Sequence, residues 1–329
     1  MLILVKAWRR LFVAGMLHAM RITTSILYSL ALVLGAPPAL AETTVPSLDG
    51  VRGALRTKDA QKLFDREMSG AKQADGLGRK LPAGFTSQFL QQQLAPGEDL
   101  ARLVLSGAKP WPARANAFVA LVCLAKTPKA AADAIQYGGG DCHDLSSDNS
   151  DGMDVWFGVF DAGGDGQPVL VARTERPVTT PTDWSDTDID LPQKLDEGDS
   201  KAGTRSMPES WTRFDLAPYE IRKGEFAFGV RAGWSEGYAG GGADFEALYL
   251  FRIDGKSLRV VLAQPMAFSK MTAGDWHKDG TRSHDVSDAS NALVVLGTET
   301  AGFRDLQLRQ QKGKWKKTLK WSGASQGYE

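Results

Sequence analysis

From Ala117 onward the chain keeps returning to an apolar residue at every second position, and glycine, proline and aspartate separate one such run from the next. A period of two puts alternate side chains on opposite faces of a strand, so the pattern predicts sheets with a buried face rather than a helical bundle. In "MDVWFGVF" it sets Val155, Phe157 and Val159 against Asp154, Trp156 and Phe160. "DAGGDGQP" then reads as a turn and "VLVART" as the returning strand. "EFAFGVRAGW" alternates Phe226, Phe228 and Val230 with Ala227, Gly229 and Arg231, and "EALYLFRI" and "LRVVLAQ" flank the tight-turn pair Asp254-Gly255. With "FVALVCLAK", "ALVVLGTET", "FRDLQLRQ" and "KWKKTLKWSG", about ten strands are expected, and no helix after residue 200. Residues 113–329 therefore read as a mainly antiparallel β domain, sandwich or barrel-like.

The residues before it keep a helical period. Thr57 can cap a helix in which Ala60, Leu63, Phe64 and Met68 share a face, with Asp59 in the first turn. "TSQFLQQQLA" and "GEDLARLVLSG" repeat that pattern, and "ADGLGRKLPAG" and "PG" read as breaks between helices. The expected fold class is α+β, with a short helical region over residues 42–112. Residues 175–212, rich in Thr, Pro, Asp, Ser and Gly, read as a long, solvated polar excursion from the sheet.

"ITTSILYSLALVLGAPPALA", from Ile22 to Ala41, has the apolar core and the small residues at Ala39 and Ala41 that a signal peptidase reads. Export with cleavage after Ala41 is expected, with Met20 as an alternative start. The apolar run is too short and interrupted for a stable span, so no membrane span is expected in the mature protein. Removing residues 1–41 takes away Lys6, Arg9, Arg10 and Arg21 and no acid, which turns 39 basic and 39 acidic residues into a net charge of −4. A mildly acidic exported chain does not read as a nucleic-acid binder. The two cysteines, Cys123 and Cys142, both lie in the mature part, and an oxidising compartment predicts one disulfide between them.

Several stretches resemble sites. "GWSEGYAGGGA" contains Gly233, Ser235 and Gly237 in the G-x-S-x-G spacing of a nucleophile elbow. Such an elbow needs a strand, a sharp turn and a helix, whereas glycines and a further strand follow Ser235. His277 and His284 would be the bases of a catalytic reading, in the polar stretch "DWHKDGTRSHD". Gly240, Gly241 and Gly242 lack the Lys-Ser or Lys-Thr and the helix that a phosphate cradle requires. The whole stretch is read as a recognition loop, with Trp234 and Tyr238 as an aromatic platform beside the three glycines. Asp161 and Asp165 resemble the start of a calcium loop but lack a ligand at the third position and a Glu at the twelfth. Asp186, Asp188 and Asp190 in the excursion offer further carboxylates. Lys314, Lys316 and Lys320 line one face of the last hairpin, as on a protected edge strand.

These features read as an exported, non-catalytic binding or inhibitor-type module for a cell-envelope protein or glycan. Two alternatives stand beside it: an exported serine hydrolase using Ser235, and a calcium-stabilised structural module.

Overall fold

The computed structural model describes residues 42–68, 74–143, 152–164, 166–193 and 204–329. The expected leader, Asp165, and the polar run at 194–203 lie outside them. In chain order come β1 (Thr43–Val45), α1 (Leu48–Ala54), α2 (Lys58–Met68) and α3 (Ser87–Leu94). A single 3-10 turn, Leu100–Arg102, leads into β2 (Leu103–Pro110), β3 (Ala117–Leu124) and α4 (Pro128–Tyr137). β4 (Asp154–Ala162), β5 (Pro168–Arg173), β6 (Thr182–Asp183), β7 (Arg205–Ser206), β8 (Ser210–Arg222) and β9 (Glu225–Tyr238) follow. The chain ends with β10 (Gly241–Asp254), β11 (Ser257–Trp276), β12 (Arg282–Thr300), β13 (Phe303–Gln310), β14 (Lys316–Leu319), β15 (Trp321–Ser322) and β16 (Gly327–Tyr328).

The protein is mainly β, with few helices. Strands β2 to β5 form one antiparallel meander, and β8 to β14 form a second. The two are joined at one corner by a parallel pairing of Ser257 with Arg173. The alternation read in the sequence decides what faces what. Val119, Leu121, Phe157 and Val159 of the first meander share a core with Phe228, Val230, Phe245, Tyr249 and Phe251 of the second. Phe157 meets Phe251 at 4.6 Å and Trp211 at 5.1 Å between ring centroids. Each such fully buried aromatic contributes about 1.5–3 kcal/mol.

The opposite face of β8–β11 carries a second apolar set, including Ile221, Leu248, Leu250 and Leu262. It is covered by Phe303, Leu306, Leu308 and Leu319 of β13 and β14. This layering arises because β12 is long. Its first half pairs with β11, from Arg282 to Ser290, and its second half pairs with β13, from Asn291 to Thr300. Leu90 and Leu94 of α3 cover the outer face of the first meander.

Among the described residues no closed barrel forms. Residues 76–78 lie between the free edges of β2 and β8 and bond to both: Phe214 N–H donates to Gly76 O at 3.0 Å and Ala108 N–H to Gly78 O at 3.0 Å. This strap is the stretch "ADGLGRKLPAG", read above as a mere break. The expected helix over "GEDLARLVLSG" is corrected to one 3-10 turn and strand β2, because residues 104–108 are buried along an unbroken run that no helical stripe allows. Helix α2 and helix α3 stand where their periodicity places them. Thr86 Oγ1 accepts from Phe89 N–H at 3.1 Å as the cap of α3.

Cys123 and Cys142 form the disulfide, which ties the chain after α4 to β3. The bridge spans a sequence separation of 19, and closing a loop of that length stabilises by roughly 3 kcal/mol. A Cys123→Ala/Cys142→Ala variant is expected to lose that amount in urea unfolding, and a reductant to lower the wild type to the same curve.

Candidate binding cleft

Glycines and charges set inside otherwise apolar strands build a large concavity. α2 packs on β10, β11 and β12. Its start is fixed by Asp288, which is 1 % exposed and accepts from Arg56 N–H at 2.9 Å, Thr57 N–H at 3.0 Å and Thr57 Oγ1 at 2.8 Å. Between α2, the strap, the turn at Asp141–His143 and strands β8–β10 lies a cleft of about 1190 Å³.

Its floor is ionic. Glu246, 3 % exposed, accepts from both terminal guanidinium nitrogens of Arg213 and from Arg231 at 3.2 Å. Arg231 also pairs with Asp215 at 2.6 Å. Burial works against the charge of Arg231, but Glu246 and Asp215 outweigh it and hold its proton more firmly than usual. One wall is braced by Arg79, which pairs with Asp141 at 2.7 Å and donates to Gly139 O and Gly140 O. A smaller cavity of about 320 Å³ is lined by Trp111, Arg114, Glu225 and Phe226. Its charged groups pair outward, Arg114 with Asp161 at 2.9 Å and Glu225 with Arg252.

The stretch at residues 233–243 is not a loop. Gly233 to Tyr238 continue β9, Ala239-Gly240 make a two-residue turn, and Gly241 opens β10 opposite Tyr238. Gly240 has φ +85°, and a Cβ on Gly241 would stand 2.2 Å from Met271 O, so backbone packing accounts for these glycines. Strand register also corrects the aromatic platform. Trp234 points into the core, 4 % exposed, with its Nε1–H donated to Met207 O at 2.9 Å and its ring against Trp184 at 5.0 Å. Tyr238 is half-buried, donating to Glu236 at 2.6 Å.

Ser235 points the other way and lines the cleft. It sits in regular strand, so no elbow forms, and its N–H is spent on Glu209 at 3.0 Å. His284 lies three strands away, opposite Ala273 and Val45, which at about 4.8 Å per strand puts roughly 14 Å between it and β9. His277 is in the β11–β12 turn, where its N–H bonds Thr281 O at 2.8 Å. These residues do not assemble a triad. The acid beside Ser235 is its cross-strand partner Asp244, whose carboxyl is pushed up to about 7 by burial and by Glu67, against Arg66 and the Ser235 hydrogen bond.

Asp161 ends β4 in an ion pair with Arg114. Among the described residues no group of three or more His, Cys, Asp or Glu side chains is placed to hold a metal ion, and no helix is long and apolar enough to cross a membrane.

The described part of the polar excursion is also corrected. It is anchored rather than solvated: Trp184 is 1 % and Ile189 2 % exposed, and Thr182 bonds Tyr249 at 2.8 Å. The cleft was not legible in the sequence, since its floor comes from β8, β9 and β10 and its walls from three earlier segments. Its one local signal was charge inside apolar strands, Arg231 in "AFGVRAGW" and Glu246 in "DFEALYLF".

The fold and site thus define a mainly β, disulfide-linked chain with an ionic-floored cleft. Comparison with family models, characterised proteins and solved structures finds no match to the chain.

Proposed function

We propose that the chain is exported and acts as a non-catalytic binding or inhibitor-type module for a protein or glycan of the cell envelope, with the α2/β8–β10 cleft as its recognition surface. The observation that carries this reading is the size and lining of the cleft. Small-molecule sites run to about 300–1000 Å³ and are mostly apolar. The cleft, at about 1190 Å³, exceeds that range, and charged side chains from several segments line it. Those are dimensions for a stretch of polymer, a peptide segment or a run of sugars, rather than for a metabolite.

A tryptophan at the exposed position Ser235 obstructs part of the cleft without disturbing the core. Ser235→Trp is expected to weaken retention of an envelope partner about tenfold or more, about 1.4 kcal/mol, in crosslinking-assisted capture, while Ser235→Ala retains it. Equal retention by Ser235→Trp and the wild type would remove the cleft as the recognition surface. A serine-reactive probe that labels Ser235, and no longer labels the Ser235→Ala variant, would overturn the non-catalytic reading.

A further inference from the structure

Residues 182–191 form a flap that packs on the core through Trp184 and Ile189, and one of its contacts is incomplete. Asn291 on β12 is 3 % exposed and donates from Nδ2 to Asp188 Oδ1 at 2.8 Å. The remaining oxygen of each group, Asp188 Oδ2 and Asn291 Oδ1, is buried and has no hydrogen-bond partner. Two acceptors are left over where one donor is missing. Leaving both unsatisfied is costly in a native interior.

We propose that a single proton, carried on Asp188 Oδ2 and donated to Asn291 Oδ1, closes the pair into a cyclic acid–amide ring that latches the flap onto β12 in a pH-dependent way. Atoms balance simply: ionisation of Asp188 releases that proton to solvent and leaves the Nδ2 bond alone. A metal ion is the poorer occupant, because two oxygens fall far short of the six to eight that calcium takes.

The charged groups around the flap are otherwise engaged. Lys270 on β11 pairs with Asp190 at 3.2 Å, Lys317 on β14 with Asp186 at 3.5 Å, and Arg205 on β7 with Asp183 at 3.5 Å. Among the described residues no cation is bonded to Asp188. Burial accordingly pushes its carboxyl above the ordinary value of 3.8, against the hydrogen bond from Asn291. A carboxyl raised in the folded state contributes its full stability below the unfolded value and loses it as pH rises through the folded one. The latch is therefore closed in acid and weakens toward alkaline pH. Its release would free Trp184, whose ring packs on Trp234, the neighbour in β9 of the cleft-lining Ser235.

The test is Asp188→Asn, which is isosteric with the neutral acid and can make both bonds of the ring at every pH. Hydrogen exchange of residues 182–191 is compared between the variant and the wild type at equal pH, so that intrinsic exchange cancels. At about pH 8 the variant is expected to exchange several-fold more slowly, and at about pH 4 the two are expected to match. Equal exchange at both pH values, or faster exchange in the variant, overturns the latch. So does calcium-dependent protection in the wild type that Asp188→Asn abolishes, because a cation would then fill the gap. A carbon-13 titration of the Asp188 carboxyl in the wild type is independent of any variant's folding: a midpoint at or below the ordinary value overturns the proposal, and a raised one supports it.

Discussion

Glu246→Ala is expected to lower the unfolding free energy by about 3–5 kcal/mol, the range for removing one partner from a buried ion pair. The carboxylate is 3 % exposed and holds two guanidinium groups, those of Arg213 and Arg231. The Arg231 side chain is only 14 % exposed, so water cannot replace the lost partner. Asp215 remains on its other side, which keeps the loss from being larger. Urea unfolding measures the effect. A double-mutant cycle with Arg231→Ala isolates the pair, and the double variant is expected to lose less than the two single losses together by about 1–3 kcal/mol. The pH dependence has a definite sign. Burial opposes the charge of Asp215, but Arg231 outweighs it and holds the carboxyl below its ordinary value of 3.8. A group lowered in this way stabilises above its unfolded value and stops doing so only as pH falls through the folded one. The Asp215–Arg231 pair thus stays charged through the neutral range. A loss below about 1 kcal/mol would class the network with exposed surface pairs and deprive the cleft of a rigid floor.

The sheets were legible because the period of two is enforced by burial itself. Phe226, Phe228 and Val230 were read on one face of their strand and stand there, and the hairpins around "DAGGDGQP" and Asp254-Gly255 form as the turn chemistry requires. Where both faces are covered, the period disappears. Strand β2 was read as helix for that reason, since α3 and the first meander's core bury it from two sides. The polar excursion misled in a different way. Its average composition describes a solvated loop, but Trp184 and Ile189 alone suffice to seat it. Trp234 shows the same limit at the level of a site: proximity to glycines placed it in a loop, whereas the register of β9 turns it into the core and Ser235 out to the cleft. The ionic floor depends on Arg213, Arg231 and Glu246 being neighbours across three strands, a pairing that no local pattern encodes.

Gly78→Ala is expected to destabilise by about 2–3 kcal/mol, from a left-handed backbone cost of about 1–2 kcal/mol and the loss of a hydrogen bond worth about 1 kcal/mol. Gly78 has φ +74°, and a Cβ there would stand 2.1 Å from Ala108 O, a backbone atom that cannot step aside as a side chain would. The strap must move, and the bond from Ala108 N–H to Gly78 O, 3.0 Å long, goes with it. Gly76 faces the same constraint from the other edge, 2.5 Å from Thr212 O. Gly97 provides the control, since it has φ +86° with nothing within 4 Å of its Cβ position. Gly97→Ala is expected to cost only the backbone term, about 1–2 kcal/mol, so the difference between the two variants measures what the strap contributes between β2 and β8. Displacing the strap also bares the edges of β2 and β8, and a bare edge is a template for pairing with another chain. Gly78→Ala should therefore show concentration-dependent association on sedimentation at temperatures where Gly97→Ala stays monodisperse. Equal stability and equal association of the two variants would mean that the strap covers the edges without holding them shut.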